Sequence, residues 1–267
     1  MGPSGCGKTT LISCIVGVRG LDSGQIKTFD ESSKNSQHSR IGFMPQETAL
    51  VGNFKIKEML WFFGTIFGLS ADEIKDKTKF LSDLLDLPDN ERLVKNCSGG
   101  TQRRISFAVA LIHDPELLIL DEPTVGVDVL LRERIWNYLV QLTRTKNVTI
   151  LLSTHCIEEA KQSNTIGLMR NGFFIAEDAP QNILQMSETR SLEEAFFKLC
   201  QKQEVCSIVL KPIEHKTHSE PSSSKFNPHF TPAPNQRKRK IMKALLTKHY
   251  LELVRNIGWE ILSTSLL

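Results

Sequence analysis

The first ten residues carry a glycine-rich pattern with the spacing of a phosphate-binding loop. The segment is Gly2-Pro3-Ser4-Gly5-Cys6-Gly7-Lys8-Thr9-Thr10, which satisfies G-x-x-x-x-G-K-[ST]. Glycines allow the backbone to curl so that its N–H groups point at phosphate oxygens, while Lys8 reaches the β- and γ-phosphates and the Thr9 hydroxyl suits Mg²⁺. The predicted phosphate-binding residues are Gly2, Ser4, Gly5, Cys6, Gly7, Lys8, Thr9 and Thr10. The alternative is a glycine-rich turn that matches by chance.

A second pattern places two carboxylates after an apolar run. Leu117 to Leu120 is continuously apolar, as expected for a buried parallel strand, and Asp121-Glu122 follows directly. Ligands bind at the carboxyl ends of such strands. We therefore expect Asp121 to hold Mg²⁺ and Glu122 to polarise a water that attacks a γ-phosphate. The alternative is a strand that leads into an acidic helix cap.

A third pattern, Ser98-Gly99-Gly100, precedes a helix-like segment. Ser98 is a favourable N-cap, and the two glycines leave the first turn bare, so that a phosphate can approach the backbone N–H groups. Taken alone, the pattern is equally typical of a simple capped helix.

Strand-like and helix-like segments alternate over residues 1 to about 187, and this alternation predicts an α/β domain with a largely parallel sheet. After Leu11–Val16, the predicted helices are Ile56–Phe67, Ala71–Leu87, Ser98–His113, Leu130–Thr143 and one from Ile157, and the predicted strands are Arg40–Met44, Leu117–Leu120 and Val148–Ser153. Ile166–Met169 and Phe173–Ala176 flank Arg170-Asn171-Gly172 and form a hairpin pattern.

Composition is that of an ordinary globular protein, with 40% hydrophobic and 24% charged residues among 267. The net charge of +3 is unevenly spread: residues 188–267 hold 13 Lys/Arg against 8 Asp/Glu, and the remainder holds 20 against 22. Six cysteines without a C-x-x-C pair argue against a zinc site and favour a reducing compartment. No run of 18 apolar residues occurs.

The basic excess lies in a tail with a different composition. A Pro- and Ser-rich segment predicts a linker, Arg237-Lys238-Arg239-Lys240 follows it, and Ile241–Leu262 shows apolar residues at helical spacing. The basic cluster is compatible with a nuclear localisation signal, a nucleic-acid patch, a juxtamembrane cluster or a solvated linker end.

Taken together, residues 1 to about 187 resemble the nucleotide-binding domain of an ATP-binding cassette (ABC) transporter. The resemblance rests on motifs in the family's order, namely the Gly2–Thr10 loop, Gln46 after Met44-Pro45, Ser98-Gly99-Gly100, Asp121-Glu122, Asp128 and His155 after Ser153-Thr154. Phe43–Glu47, Asp121–Asp128 and Ile166–Arg170 are most similar to arthropod half-transporters of the H subfamily, which resemble the G subfamily and bacterial ABC-2-type exporters.

The resemblance implies a P-loop ABC ATPase with a helical signature subdomain, acting on ATP with Mg²⁺. It implies catalytic roles for Glu122, His155 and Gln46, and metal binding by Thr9, Gln46 and Asp121. Ser98, Gly99 and Gly100 would bind ATP held by the opposite subunit, and Asp128 would lie at the dimer interface.

The implied function is ATP hydrolysis that drives movement of a lipid or other hydrophobic substrate across a membrane. The implied partners are a second nucleotide-binding domain, identical or different, the transmembrane domain of the same transporter and the membrane surface, without nucleic acid. The expected location is the cytoplasmic face of a membrane. The alternatives are a soluble ABC ATPase not coupled to transport, and a non-functional or binding-only fragment.

The expected organisation is a nucleotide-binding domain over 1–187, a helix and linker over 188–236, and a basic juxtamembrane segment with an amphipathic helix over 237–267, before a transmembrane domain.

The family has Leu where Cys97 stands and Gln where Thr101 stands, from which we expect altered packing. The family's strand before the phosphate loop and its adenine-stacking aromatic would precede Met1, so we expect a truncated N-terminus and an open sheet beside Leu117–Leu120.

Overall fold

The computed structural model describes residues 1–29, 39–209, 244–245 and 248. The helices are α1 (Lys8–Val16), α2 (Ile56–Phe67), α3 (Ala71–Leu84), α4 (Gly99–Leu111), α5 (Val129–Thr145), α6 (Ile157–Lys161), α7 (Pro180–Ser187) and α8 (Leu192–Val209), and the strands are β1 (Ile41–Met44), β2 (Leu117–Asp121), β3 (Thr149–Ser153), β4 (Ile166–Arg170) and β5 (Phe173–Asp178). The predicted alternation is confirmed. The predicted linker, the basic cluster and most of the tail helix lie outside the described residues.

The described chain divides into two compact units. One joins Met1–Leu11 to the described residues 154–209, and the other contains Ile12–Ser153 together with Ala244, Leu245 and Lys248. Within the described ranges, no helix is both long enough and apolar enough to cross a bilayer. The domain limits at 187 and 236 stay predictions.

The larger unit is built on a parallel sheet in the order β1-β2-β3. The central strand β2 is buried along its whole length, in line with its apolar run. The expected open edge beside Leu117–Leu120 is wrong, because β1 and β3 both pair with β2. The apolar run of Val148–Ser153 predicts another buried strand, and this is wrong, since β3 lies at the edge of this described sheet and its Leu151 is 38% exposed.

Helices α4 and α5 pack on this sheet, α2 packs on α3 and α4, and together they share a large apolar core that includes Met59, Leu60, Ile105 and Phe107. Helices α2 and α3 approach closely because Gly64 has no side chain, and a Cβ there would lie 2.7 Å from Cγ1 of Ile74. Helix α3 begins with a capping box between Ser70 and Glu73. It ends at Leu84 rather than the predicted Leu87, and Asp86 then takes a left-handed φ of +48°. Ala244 is fully buried in the same core.

The smaller unit is built on the β4–β5 hairpin. The two strands are antiparallel, and the turn residues Asn171 and Gly172 have φ of +50° and +83°, as a tight two-residue turn requires. Helices α6, α7 and α8 bury Ala160, Ile183, Leu192 and Ala195 against Ile166 and Leu168 of β4. Met1 packs at the border of this core, so the phosphate loop starts from a fixed point.

Candidate active site

The entry to the phosphate loop is fixed to β4 by backbone hydrogen bonds. The Met1 nitrogen donates to the Gly167 carbonyl at 2.6 Å, and the Met169 N–H donates to the Met1 carbonyl at 2.8 Å. Gly2 then passes so close to β4 that a Cβ would lie 2.3 Å from the Met169 carbonyl oxygen. The first glycine of the motif is therefore required by packing, because any side chain there would collide with β4.

The curl of the loop depends on two left-handed glycines and one neighbouring turn. Gly5 and Gly7 have φ of +77° and +103°, which side-chain-bearing residues rarely adopt. The Gly172 N–H of the β4–β5 turn donates to the Cys6 carbonyl at 3.0 Å, so the hairpin braces the loop from outside. Ser4, Thr9 and Thr10 are exposed.

Lys8 places its ammonium inside the loop that precedes it. The Nζ donates to the carbonyl oxygens of Gly2 at 2.8 Å and Pro3 at 3.0 Å, and the residue is only 9% exposed. Lys8 is also the first residue of α1, whose N-terminal dipole adds positive potential at the same point. The arrangement matches the geometry expected for binding nucleotide phosphates.

Asp121 ends β2 with one carboxylate oxygen satisfied and one unsatisfied. Oδ1 accepts a hydrogen bond from the Ser153 hydroxyl, and Ser153 is its register partner on β3. Oδ2 is buried and has no hydrogen-bond partner among the described residues, and Asp121 is 1% exposed. Burying a carboxylate oxygen without a hydrogen-bond partner costs free energy, and a hard cation such as Mg²⁺ can be its partner. The residues present therefore fit the predicted metal.

Glu122 has a backbone conformation that is rare for a residue with a side chain. Its φ is +52°, a left-handed value that costs about 1–3 kcal/mol unless its surroundings enforce it. Its N–H donates to the Ser153 carbonyl at 3.1 Å and to the Ser153 Oγ at 3.0 Å. Its carbonyl accepts a hydrogen bond from Nη2 of Arg103. The residue is therefore held on both sides of its Cα, as strained functional residues commonly are.

Gln46 lies just beyond β1, and the same arginine reaches it. Gln46 is exposed, and its carbonyl accepts a hydrogen bond from Nη1 of Arg103 at 2.9 Å. Gln46, Asp121 and Glu122 are thus brought together in the larger unit through Arg103 and Ser153. The sequence did not single out Arg103 or Ser153 as functional residues. Ser153 could have been noticed, since it precedes His155 by two residues at the end of a predicted strand. Nothing in the sequence distinguishes Arg103 from other arginines on helices.

The Ser98-Gly99-Gly100 segment is the capped start of α4. The Ser98 Oγ accepts the Thr101 N–H at 3.2 Å and lies 2.9 Å from the Thr101 hydroxyl. Thr101 thus stabilises the cap itself, and Cys97 is buried at 8% exposure. Ser98 and Gly99 are exposed, and a Cβ on Gly99 would meet no heavy atom of the described chain within 4 Å. The helix start is accessible to an anionic ligand.

Asp128 caps α5 by accepting the Leu131 N–H at 3.0 Å. Apolar side chains beside it are exposed: Val125 at 38%, Val129 at 74% and Leu130 at 77%. The loop before Asp128 lies beside Ser98-Gly99-Gly100, because a Cβ on Gly100 would lie 3.1 Å from the Gly126 carbonyl oxygen. This exposed apolar segment and the exposed α4 start therefore share one part of the larger unit.

His155 and the phosphate loop belong to the smaller unit. His155 is exposed and follows the buried Thr154, whose hydroxyl donates to Oε2 of Glu159 at 2.6 Å and accepts the Cys156 N–H at 2.9 Å. These bonds fix the backbone on both sides of His155. The chemical roles assigned to all the predicted site residues, from the phosphate loop to Glu122, His155 and Asp128, stay predictions.

The fold is that of P-loop ATPases of the ABC type. The ABC transporter family model matches residues 1–125. The chain is 39% identical over 214 residues to ABC transporter G family member 23 of Dictyostelium discoideum, covering 79% of this chain and 30% of that protein. It is 35% identical over 189 residues to Nod factor export ATP-binding protein I of Paraburkholderia xenovorans, covering 69% of this chain and 62% of that protein.

A solved structure agrees. The dimeric structure of MJ0796, described as a bacterial ABC transporter cassette, superposes with a TM-score of 0.60 at 25% identity and covers 67% of this chain and 83% of that one. Residues 1–125 are thus similar to ABC transporter nucleotide-binding domains, and the chain has the fold of an ABC cassette. It spans about 30% of the length of the G family relative and about 62% of the Nod factor export protein.

Proposed function

We propose that this domain binds ATP with Mg²⁺ and hydrolyses it to drive an ABC transporter. The observation that carries the proposal is the end of β2, where Glu122 is held in a strained conformation beside the unsatisfied Oδ2 of Asp121. The end of a purely structural strand needs neither the left-handed φ of Glu122 nor the unpaired Oδ2 of Asp121. Both fit a hydrolytic site, because there the general base and the metal ligand must be fixed next to each other.

Each residue then has a definite task. Lys8 and the loop N–H groups orient the phosphates, and Asp121 with the Thr9 hydroxyl would hold Mg²⁺, which when bound neutralises charge on the β- and γ-phosphates. Glu122 accepts a proton from the water that attacks the γ-phosphorus, and the bond from that phosphorus to the β–γ bridging oxygen breaks to give ADP and phosphate. We assign Gln46 and His155 to holding that water and sensing the γ-phosphate.

We propose that the working unit is a dimer of two such domains, identical or different. The exposed start of α4 at Ser98 and Gly99 is available to a phosphate group, and the exposed Val129 and Leu130 are available to apolar contact. The MJ0796 cassette is described as dimeric. These observations favour Ser98-Gly99-Gly100 contacting ATP held by the other copy, with Asp128 at the interface.

We further propose that the domain works at the cytoplasmic face of a membrane with a transmembrane domain as partner, and without nucleic acid. One relative is named as an export ATP-binding protein, which favours export. A lipid or other hydrophobic cargo, and a place among H-subfamily half-transporters of arthropods, remain part of the proposal. A soluble ABC ATPase and a binding-only fragment are the competing functions.

Phosphate release from Mg-ATP tests the proposal. The chain should release phosphate, and Lys8→Ala should abolish both release and the rise in melting temperature caused by Mg-ATP. The matched control is Lys27→Ala, an exposed lysine outside the loop, which should behave as the parent does. Equal activity of the parent and Lys8→Ala would contradict the proposal, and binding without release would favour the binding-only function.

A further inference from the structure

We propose that Arg103 is a positioning residue that aims the Glu122 carboxylate and holds the Gln46 segment against it. The inference deepens the proposed hydrolysis and rests on it. Arg103 lies on α4, five residues after Ser98, and its role concerns the backbone of the residues it contacts rather than the nucleotide.

The contacts of Arg103 join two separate segments of the site. Nη1 donates to the Gln46 carbonyl at 2.9 Å, and Nη2 donates to the Glu122 carbonyl and, at 3.4 Å, to the Asp121 carbonyl. All three acceptors are backbone oxygens, so the contact fixes main-chain conformation. A planar guanidinium can serve two segments at once in a fixed fork, which a lysine ammonium on a flexible stem cannot do as well.

Glu122 needs such support because of its backbone. At φ +52° it can relax to an ordinary right-handed or extended conformation, and that relaxation would swing its side chain away. Ser153 holds the N–H side of the residue, and Arg103 holds the carbonyl side. Removing the Arg103 guanidinium takes this hydrogen bond from the Glu122 carbonyl, so the left-handed conformation of Glu122 becomes less favourable.

Arg103 also connects the Gln46 and Glu122 backbones to helix α4, which begins at Ser98-Gly99-Gly100. The cap at Ser98 and the guanidinium of Arg103 are on the same helix, little more than one turn apart. A shift of α4 would therefore move the Gln46 carbonyl and the Glu122 carbonyl together. We expect occupation of the Ser98 end to be felt at Glu122 through this one side chain.

The kinetic test compares Arg103→Met with Arg134→Met in the complete chain. Arg134, on α5, donates to the Asp83 carbonyl at 3.5 Å, and neither residue is assigned to the site. Arg103→Met should lower kcat roughly 10- to 100-fold, with KM for ATP changed less than about threefold, because it acts on the reacting geometry and not on binding. Arg134→Met should keep the parental kcat. A parental kcat in Arg103→Met overturns the inference.

A second readout needs no activity. Amide hydrogen exchange in Arg103→Met should quicken at residues 45–48 and 121–125, while Arg104→Met should quicken it at Leu85 and Asp86, whose carbonyls Arg104 binds. If the parent releases no phosphate, the proposed hydrolysis fails, yet unchanged exchange at 45–48 and 121–125 would independently overturn the role of Arg103. If Arg103→Met does not fold, Arg103→Lys decides, with at least a roughly fivefold loss of kcat expected and a parental kcat contradictory.

Discussion

Asp121 and Ser153 lie opposite each other in the parallel ladder of β2 and β3, and the Ser153 hydroxyl donates a hydrogen bond to Oδ1 of Asp121. The same Oγ accepts the N–H of Glu122 at 3.0 Å. One hydroxyl thus orients the carboxylate that we propose to hold Mg²⁺ and stabilises the strained residue beside it. The two predicted functional residues at the end of β2 depend on a serine from the neighbouring strand.

Replacing Ser153 with alanine should therefore weaken both catalysis and stability. We expect a stability loss of about 1–2 kcal/mol from the lost bonds and a kcat lowered by roughly tenfold, with a higher Mg²⁺ requirement. Chemical denaturation and phosphate release at varied Mg²⁺ measure these effects. The control is Ser163→Ala, whose Oγ donates to the carbonyl of Ala160 in the preceding helix α6, 2.7 Å away. An unchanged Mg²⁺ requirement in Ser153→Ala would count against the shared role.

Gly2→Ala should damage the phosphate loop through packing alone. Its Cβ would lie 2.3 Å from the Met169 carbonyl oxygen and 2.7 Å from the Cys6 Sγ, so the loop must shift. Overpacking of this kind costs about 1–3 kcal/mol of folding stability, and we expect the displaced loop to bind Mg-ATP more weakly in titration calorimetry. Gly20→Ala is the control, because its Cβ would meet no described heavy atom within 4 Å. Equal affinities for the two variants would refute the close packing of Gly2 on β4.

The exposed apolar residues beside Asp128 predict a nucleotide-dependent dimer. In a Glu122→Gln background with ATP, we expect light scattering after size exclusion to show a dimer. Leu130→Asp should abolish that dimer while leaving ATP binding by the monomer intact, because a charge at 77% exposure is tolerated in the monomer and not in an apolar interface. Phe197→Asp, at an exposed position on α8, serves as the control and should still dimerise.

His113 should make the larger unit less stable in mild acid. Burial lowers its pKa from 6.5 to about 4, and its Nε2 lies 3.1 Å from the Ile41 carbonyl oxygen while its ring stacks on Phe67. Lys77 nearby lowers the pKa and Asp114 raises it. The unfolded chain takes up the proton first, so stability is lost as the pH falls from about 6.5 to about 4, by up to about 3 kcal/mol.

Denaturant titrations between pH 7 and pH 4 measure this loss. In the parent, the free energy of unfolding should fall between pH 7 and pH 4. In His113→Gln it should change much less over the same interval. The carboxyls of Asp114 and Glu116 each bind neighbouring cations, which lower their pKa values. The stability that these ion pairs contribute is therefore lost at still lower pH. An identical pH slope in parent and variant would show that His113 is not the responsible group.

Local sequence was enough to predict the phosphate loop, the buried strand with its carboxylates and the Ser98 cap, because each is set by neighbours a few residues apart. Arg103 and Ser153 were not predictable in the same way. Arg103 meets Gln46 across 57 residues, and Ser153 meets Asp121 across 32, so their roles exist only after the sheet and α4 have packed. The exposure of β3 was missed for a related reason, since an apolar run does not reveal which edge of a sheet it occupies.

Single-turnover hydrolysis by Glu122→Gln tests the central claim most directly. The substitution keeps the shape and the strained backbone but removes the proton acceptor, so ATP should still bind while phosphate release slows by roughly 100-fold or more. Glu116→Gln, an exposed glutamate paired with Arg40, is the matched control and should retain the parental rate. Parental phosphate release by a folded, ATP-bound Glu122→Gln protein would contradict the assignment of Glu122 as the general base.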